Sequence, residues 1–253
     1  MNYYNYYYFK SLFNDEFCDN IIDIGLKEIE FRKSKNESTT AETLGKHLTK
    51  KESDSRQALN DKTFEDLDVS LDNEAGDSDT YIRDSEIAWL KNQFIYDMVF
   101  PKVNEASEKA GWHYEVDWAE ACQFTKYGLN QFYGWHLDGQ GDHINSYSKD
   151  KDRNKKIWGL DNTQLTVDDE WENKVRKLSV TINLSHDKSY EGGNLKFDLG
   201  PHQPKNKRYI ECTEIRPRGS MIVFPSFNYH QVTPVTKGTR YSLVMWFLGR
   251  PFK

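Results

Sequence analysis

Four residues in the C-terminal half of this chain have the types and spacing to hold a metal ion and an acid: His136, Asp138, His230 and Arg240. His136 and Asp138 form a His-x-Asp pair inside Tyr127-Gly-Leu-Asn-Gln-Phe-Tyr-Gly-Trp-His136-Leu-Asp138. His230 follows about ninety residues later and opens His230-Gln-Val-Thr-Pro-Val-Thr-Lys-Gly-Thr-Arg240-Tyr-Ser242. Two imidazoles and one carboxylate can occupy one face of an octahedral Fe(II), leaving the other positions for a substrate acid and O2. An arginine ten residues past the distal histidine is placed to hold the far end of that acid.

The spacing has a physical reason. Residues i and i+2 of a strand point to the same face, so His136 and Asp138 can converge on one ion. The third ligand must come from another strand, because one strand cannot wrap a metal. The competing reading is a surface His and Asp near a turn, with His230 in the core. A distal His followed by Arg-x-Ser argues against it. Arg240 and Ser242 are themselves an i, i+2 pair, and a guanidinium fork with a hydroxyl beside it suits a carboxylate. A buried guanidinium with no counter-ion is costly, so the ligand's own carboxylate would complete the site.

Between the two halves of the motif, Leu178 to Ser185 alternates cleanly. Leu178, Val180, Ile182 and Leu184 share one face; Ser179, Thr181, Asn183 and Ser185 share the other. Period two predicts a strand with one packed face and one polar face, here expected to line a small polar cavity. Glu191-Gly-Gly-Asn-Leu195 reads as a turn into the next strand.

The elements that must carry these residues are mostly strands. Candidate strands are 113–126, 131–138, 177–185, 194–198, 208–216, 219–224, 229–235 and 239–248, punctuated by Gly and Pro. Upstream, residues 1–10 read as an edge strand. Asn14 reads as the N-cap of a helix running to about residue 31 through Phe17, Ile21, Ile22, Ile24 and Ile29. A second helix is expected from Asp84 through Ile87, Leu90, Phe94, Ile95 and Met98. Pro101 would break it or start a third, and Gly111 would end that. Helices first and strands after predict an α+β, mainly β fold: a double-sheet jelly roll with supporting N-terminal helices.

The chain has 253 residues, which suits a single domain over 1–253 with polar insertions at about 32–80 and 139–175. The second insertion leaves the His-x-Asp pair directly and is placed to cover substrate. The formal net charge of -6 argues against sequence-independent nucleic-acid binding. Cys18, Cys122 and Cys212 are far apart and form no Cys-x-x-Cys, so neither a zinc framework nor a disulfide scaffold is expected. A reducing cytoplasmic setting is the simplest, with no signal peptide and no membrane span expected.

With these motifs in place, the chain resembles 2-oxoglutarate- and Fe(II)-dependent dioxygenases of the prolyl 4-hydroxylase-like branch, closest to the PKHD-type hydroxylases. Tyr127 to Asp138, Arg176 to Leu195 and Gly219 to Trp246 carry the resemblance. Ile82 to Leu90 also resembles the helical entry of that branch. The resemblance implies a distorted double-stranded β-helix with His136, Asp138 and His230 as iron ligands. Arg240, assisted by Ser242, would pair with the C5 carboxylate of 2-oxoglutarate. Tyr127 matches a tyrosine that hydrogen-bonds the co-substrate; Thr181 and Asn183 match positions lining its pocket, although relatives often have tyrosine where this chain has Asn183. Trp246 is expected near the metal with Trp135 beside it, with plain core packing as the alternative role for both, and ascorbate is a candidate reductant.

The implied reaction couples decarboxylation of 2-oxoglutarate to succinate with hydroxylation of a second substrate, most typically a peptidyl proline. Hydroxylation of a free amino acid or small molecule is the alternative. Asp138 disfavours halogenation, because halogenating relatives lack that carboxylate. Trp246 stands where the nucleic-acid-dealkylating branch carries a second arginine. A non-catalytic binding module that keeps the fold would usually have lost one of the four residues that open this section.

Overall fold

The computed structural model describes residues 4–41, 83–139, 146, 148–150 and 171–252. In chain order its elements are β1 (Tyr7–Phe9), α1 (Asp15–Ser34), β2 (Arg83–Asp84), β3 (Glu86–Leu90), α2 (Gln93–Lys109), β4 (Trp118–Ala119), β5 (Cys122–Tyr127), β6 (Phe132–His136) and β7 (Val175–Asn183). There follow β8 (Tyr190–Gly192), β9 (Leu195–Asp198), the short α3 (Lys205–Arg208), β10 (Tyr209–Glu211), β11 (Met221–Pro225), β12 (Tyr229–Val232), β13 (Val235–Gly238) and β14 (Arg240–Gly249). The larger sheet runs β1-β11-β7-β14-β5-β3, with β4 also pairing β14. The smaller runs β10-β9-β12-β6-β2, and β13 pairs β8 separately. The pairings are antiparallel.

Period-two alternation sorts the larger sheet into two faces. Phe124, Leu178, Val180, Ile182, Val223, Leu243, Met245 and Phe247 face one core, shared with Phe17, Ile21 and Ile29 of α1 and with Ile95, Val99 and Val103 of α2. The intervening residues Ile222, Phe224 and Tyr127 join Leu195, Phe197 and Val232 of the smaller sheet in a second core. Helices thus cover one face of the larger sheet, and the other packs towards the smaller sheet. The functional residues lie on that second side.

The N-terminal expectations are met at β1, an edge strand, and at α1. Asn14 accepts a hydrogen bond from the Phe17 N–H at 2.9 Å, the geometry of an N-cap. The expected helix from Asp84 is corrected. Arg83–Asp84 pairs with Phe132 and Tyr133 in the smaller sheet, and Glu86–Leu90 with Cys122–Lys126 in the larger. The stretch that resembled a helical entry is therefore two short strands, with Ser85 at the crossing. The helix begins after Asn92 and carries Pro101 inside it, without a break. Burial of Ile95, Val99, Val103 and Ala106 outweighs the bond that Pro101 cannot make. Gly111, at φ +76°, follows its end as expected. Residues 42–80 of the first expected insertion, and most of 139–175, lie outside the described residues.

Candidate active site

His136 ends β6 and His230 lies in β12, directly opposite it in the ladder. Asp138 lies just beyond β6, where the N–H groups of Asp138 and Gly139 both donate to the Ser226 carbonyl at 3.0 Å. The ligand atoms of the three side chains lie within 4.8 Å of one another. His136 Nε2 is 3.5 Å from Asp138 Oδ1 and His230 Nε2 is 3.6 Å from Asp138 Oδ2. Each imidazole uses Nδ1 on a backbone carbonyl: Gly134 at 2.8 Å and Asn228 at 2.9 Å. A carbonyl can only accept, so each Nδ1 carries a proton and each Nε2 faces inward, the ring atom left for a metal. Burial, then His136, holds His230 down at about 4. Burial pushes the Asp138 carboxyl up, but His230, His136 and Arg176 outweigh it and keep it well below the usual range. Two imidazoles and one carboxylate on one side of a cavity fit Fe(II).

These residues line a pocket with about 440 Å³ of empty space, part of it open to solvent. Its wall includes Tyr127, Thr181, Arg240, Ser242 and Trp246. Arg240 pairs with Tyr127 across β14–β5, its guanidinium 5.5 Å from that ring, and its Nη1 donates to Ser242 Oγ at 3.3 Å. Arg240 is 1% exposed, has no carboxylate partner among the described residues, and leaves Nε without a hydrogen bond. A buried cation of this kind is complementary to the carboxylate of a diacid.

Asn183 is a correction. It pairs with Ser242 in the sheet but is absent from the pocket wall. Its amide donates to the carbonyls of Ser185 and Arg216 and accepts from the Ser185 N–H, so it ties down the end of β7. Trp135 is a second. Next to His136 on a strand, it must point to the opposite face, where it stacks on Tyr229 and Tyr209. Trp246 does line the pocket, with its Nε1 unpartnered among the described residues.

Several pocket residues escaped the sequence reading. Tyr133 lies flat on His136, with ring centroids 3.5 Å apart and planes at 11°. Burial pushes its hydroxyl up to about 12, so it stays protonated. The Arg83 guanidinium sits 4.5 Å from the Tyr133 ring and donates to Ser85 Oγ and Gln123 Oε1. Gln123 had a signal: it alternates with Thr125 and Tyr127 on β5. Arg83 had none while its strand was read as helix. Glu120 takes both arms of Arg176 at 2.6 Å, and Arg176 Nη1 reaches the Asp138 carbonyl at 3.2 Å. The guanidinium also lies 4.3 Å from the Trp246 ring.

Comparison with known proteins agrees with this geometry. The chain is 29% identical over 123 residues to a PKHD-type hydroxylase of Alteromonas mediterranea. It is 30% identical over 125 residues to the PKHD-type hydroxylase YbiX of Escherichia coli. Each match covers 49% of this chain, and the chain spans only 41% and 40% of those relatives' lengths. In fold it is similar to the viral collagen prolyl hydroxylase of Paramecium bursaria Chlorella virus-1, with TM-score 0.51 and 15% identity over 97% of both chains. It is also similar to a Trichoplax adhaerens prolyl hydroxylase solved with a hypoxia-inducible-factor peptide, with TM-score 0.51, 13% identity, 96% of this chain and 83% of that one. The model of the 2OG-Fe(II) oxygenase superfamily matches residues 122–248, half of the sequence, and the chain belongs to that superfamily.

Proposed function

We propose that this chain hydroxylates a peptidyl residue, with proline the leading target, while converting 2-oxoglutarate to succinate. The observation that carries the reading is the joining, in one pocket, of the His136–Asp138–His230 donor set and the carboxylate-free Arg240 guanidinium. The two sheets are read as the halves of a double-stranded β-helix, and residues 1–253 as one domain. A reducing cytoplasmic setting belongs to the same proposal, supported by three buried free thiols, Cys18, Cys122 and Cys212.

When bound, Fe(II) supplies the redox chemistry by which O2, 2-oxoglutarate and a C–H group become succinate, CO2 and an alcohol. His136, Asp138 and His230 would hold it, with both Nε2 atoms turned inward by the Gly134 and Asn228 carbonyls. Arg240 and Ser242 would take the far carboxylate, with Tyr127 and Thr181 on the pocket wall, and so orient the keto acid. Tyr133 keeps the His136 ring in plane, and Arg176 steadies the Asp138 backbone from the side of Trp246. Ascorbate would serve as external reductant. Arg83 favours a second reading, a free amino acid or other small acid. It is a buried guanidinium on the pocket wall whose hydrogen-bond partners among the described residues are neutral.

The test is succinate formation from 2-oxoglutarate by protein loaded anaerobically with Fe(II), for wild type, His136→Ala and Arg240→Ala. Prolyl peptides and free amino acids are then offered in parallel. Turnover confined to wild type and raised by a peptide supports the proposal. Turnover raised only by free amino acids moves the assignment to the second reading. No turnover, together with no 2-oxoglutarate-dependent metal absorption band, would mean a binding module that keeps the fold.

A further inference from the structure

The turn that joins β11 to β12 holds two of the three donors at once. The Ser226 carbonyl accepts from the N–H groups of Asp138 and Gly139, each at 3.0 Å. The Asn228 carbonyl accepts from His230 Nδ1 at 2.9 Å. Asp138 lies beyond the end of β6, where the ladder no longer fixes it. Two carbonyls two residues apart therefore set the spacing between the carboxylate and the distal imidazole. A turn with that task must itself be held still.

Its inner side is tied to the larger sheet. The Ser226 N–H donates to the Lys177 carbonyl at 2.9 Å, and Ser226 Oγ lies 2.9 Å from Ser179 Oγ, both partners being in β7. Its outer side is tied to a remote part of the chain. The Asn228 side-chain amide donates to the Asn5 carbonyl at 2.6 Å, 223 positions away in sequence. The segment around Asn5 is anchored in turn. Trp112 Nε1 donates to the Tyr4 carbonyl at 2.8 Å, the Tyr6 ring stacks on Phe197 with centroids 5.1 Å apart, and β1 pairs with β11 directly after. Phe197 is the ladder partner of His230. Residues 4–6 thus reach the distal histidine by two routes, through Phe197 and through Asn228. Asn228 is only half-buried, so water can replace its hydrogen bond at little cost in stability. Water cannot replace the fixed position that the bond gives the turn.

We propose that Asn228 is a positioning residue for the metal centre. Its amide fastens the β11–β12 turn to residues 4–6 and so keeps His230 and Asp138 at the separation that one ion needs. This rests on the reading of His136, Asp138 and His230 as the donor set. It extends that set to a residue that is not on the pocket wall.

The experiment measures Mn(II) affinity by calorimetry, and the visible spectrum of Co(II)-loaded protein, for full-length wild type, Asn228→Ala, Asn228→Leu and His230→Ala. Circular dichroism checks that each is folded. Asn228→Ala removes the amide and keeps the backbone carbonyl that His230 uses. Asn228→Leu keeps the volume and also lacks the donor. Loss of a direct outer partner costs about 10–100-fold in metal affinity, and one bond further out about three- to tenfold weaker Mn(II) binding is expected in both variants. The Co(II) bands should shift with it, which a purely structural role would not cause. Wild-type affinity and spectrum in Asn228→Ala, even with a lower unfolding midpoint, overturn the assignment. Normal binding in Asn228→Leu overturns it too, because volume and not the hydrogen bond would then matter. Should Asn228→Ala fail to fold, Asn228→Leu carries the test. Wild-type protein that binds Mn(II) no better than His230→Ala overturns the donor-set reading, and this inference with it.

Discussion

His136 and His230 are direct partners across the β6–β12 ladder, and their rings lie 4.2 Å apart. Two imidazoles so close and so buried cannot both be charged cheaply. Burial, then His136, lowers His230 from 6.5 to about 4, against Asp138 and the Asn228 carbonyl. The unfolded chain therefore takes up this proton near 6.5 and the folded chain only near 4. Stability from this site is present above the unfolded value and is lost as pH falls through the window. Asp138, held lower still, adds its loss only at more acidic pH. Thermal unfolding of metal-free protein should fall between those pH values, and His230→Gln should flatten that slope. An unchanged slope would mean that other groups govern it.

In its proposed role Arg240 offers the diacid a planar fork, where lysine would offer a single point charge. Its Nη1 is on Ser242 Oγ and its Nε has no partner among the described residues, so a carboxylate can meet a planar fork already in place. Arg240→Lys keeps the charge but loses the fork. The expected result is about 10–100-fold weaker 2-oxoglutarate binding, about 1.4–2.8 kcal/mol, with Mn(II) affinity unchanged. Calorimetry reads both. Equal affinity in the variant would remove Arg240 from the clamp.

What was legible beforehand follows one rule: period two on a single strand is visible, and pairing between strands is not. Arg240 and Ser242, or Leu178 through Ser185, reveal their two faces by alternation alone. His136 and Asp138 could be matched to His230 because metal chemistry restricts residue type. The stretch 84–98 was misread because Ile87, Leu90, Phe94 and Ile95 fall at helical spacing although they straddle a strand and a helix. Met98, expected on the apolar face, is 47% exposed. Tyr133 on His136, Arg83 on Tyr133 and the Glu120–Arg176 fork arise from register between distant segments, which a linear pattern does not carry. Asn183 had the right face but the wrong engagement, since a carbonyl from Arg216 claims its amide.

Glu120 and Arg176 form such a fork, and its position predicts a double effect. Glu120 is 5% exposed as a side chain and Arg176 23%, so the pair is largely shielded from water. Glu120→Gln removes the carboxylate charge that Glu120 sets against the guanidinium. Breaking a fully buried pair costs about 3–5 kcal/mol; with Arg176 partly solvated, about 2–3 kcal/mol is expected. Since Arg176 also holds the Asp138 carbonyl, Mn(II) affinity should fall by about 10–100-fold. Urea unfolding and metal titration give the two numbers. Lost stability with intact metal affinity would make the fork purely structural.

Gly25 tests how tightly α1 is seated on the larger sheet. In an exposed helix interior, Gly→Ala is favourable by about 1 kcal/mol. Here a Cβ would sit 2.3 Å from Phe124 Cγ, a separation real atoms do not reach. Phe124 is fully buried in the helix-facing core and stacks on Tyr241, so its ring has little room to retreat. Overpacking a core costs about 1–3 kcal/mol, which exceeds the gain in helix propensity. Gly25→Ala should therefore lower the unfolding midpoint, and Phe124→Leu should relieve the clash in part, so that the double variant loses less than the sum of the singles. If Gly25→Ala were stabilising, α1 would have to stand off the sheet. Tyr127 and Gln123, which Phe124 separates and aims at the opposite face, would then owe their places in the pocket to something other than this contact.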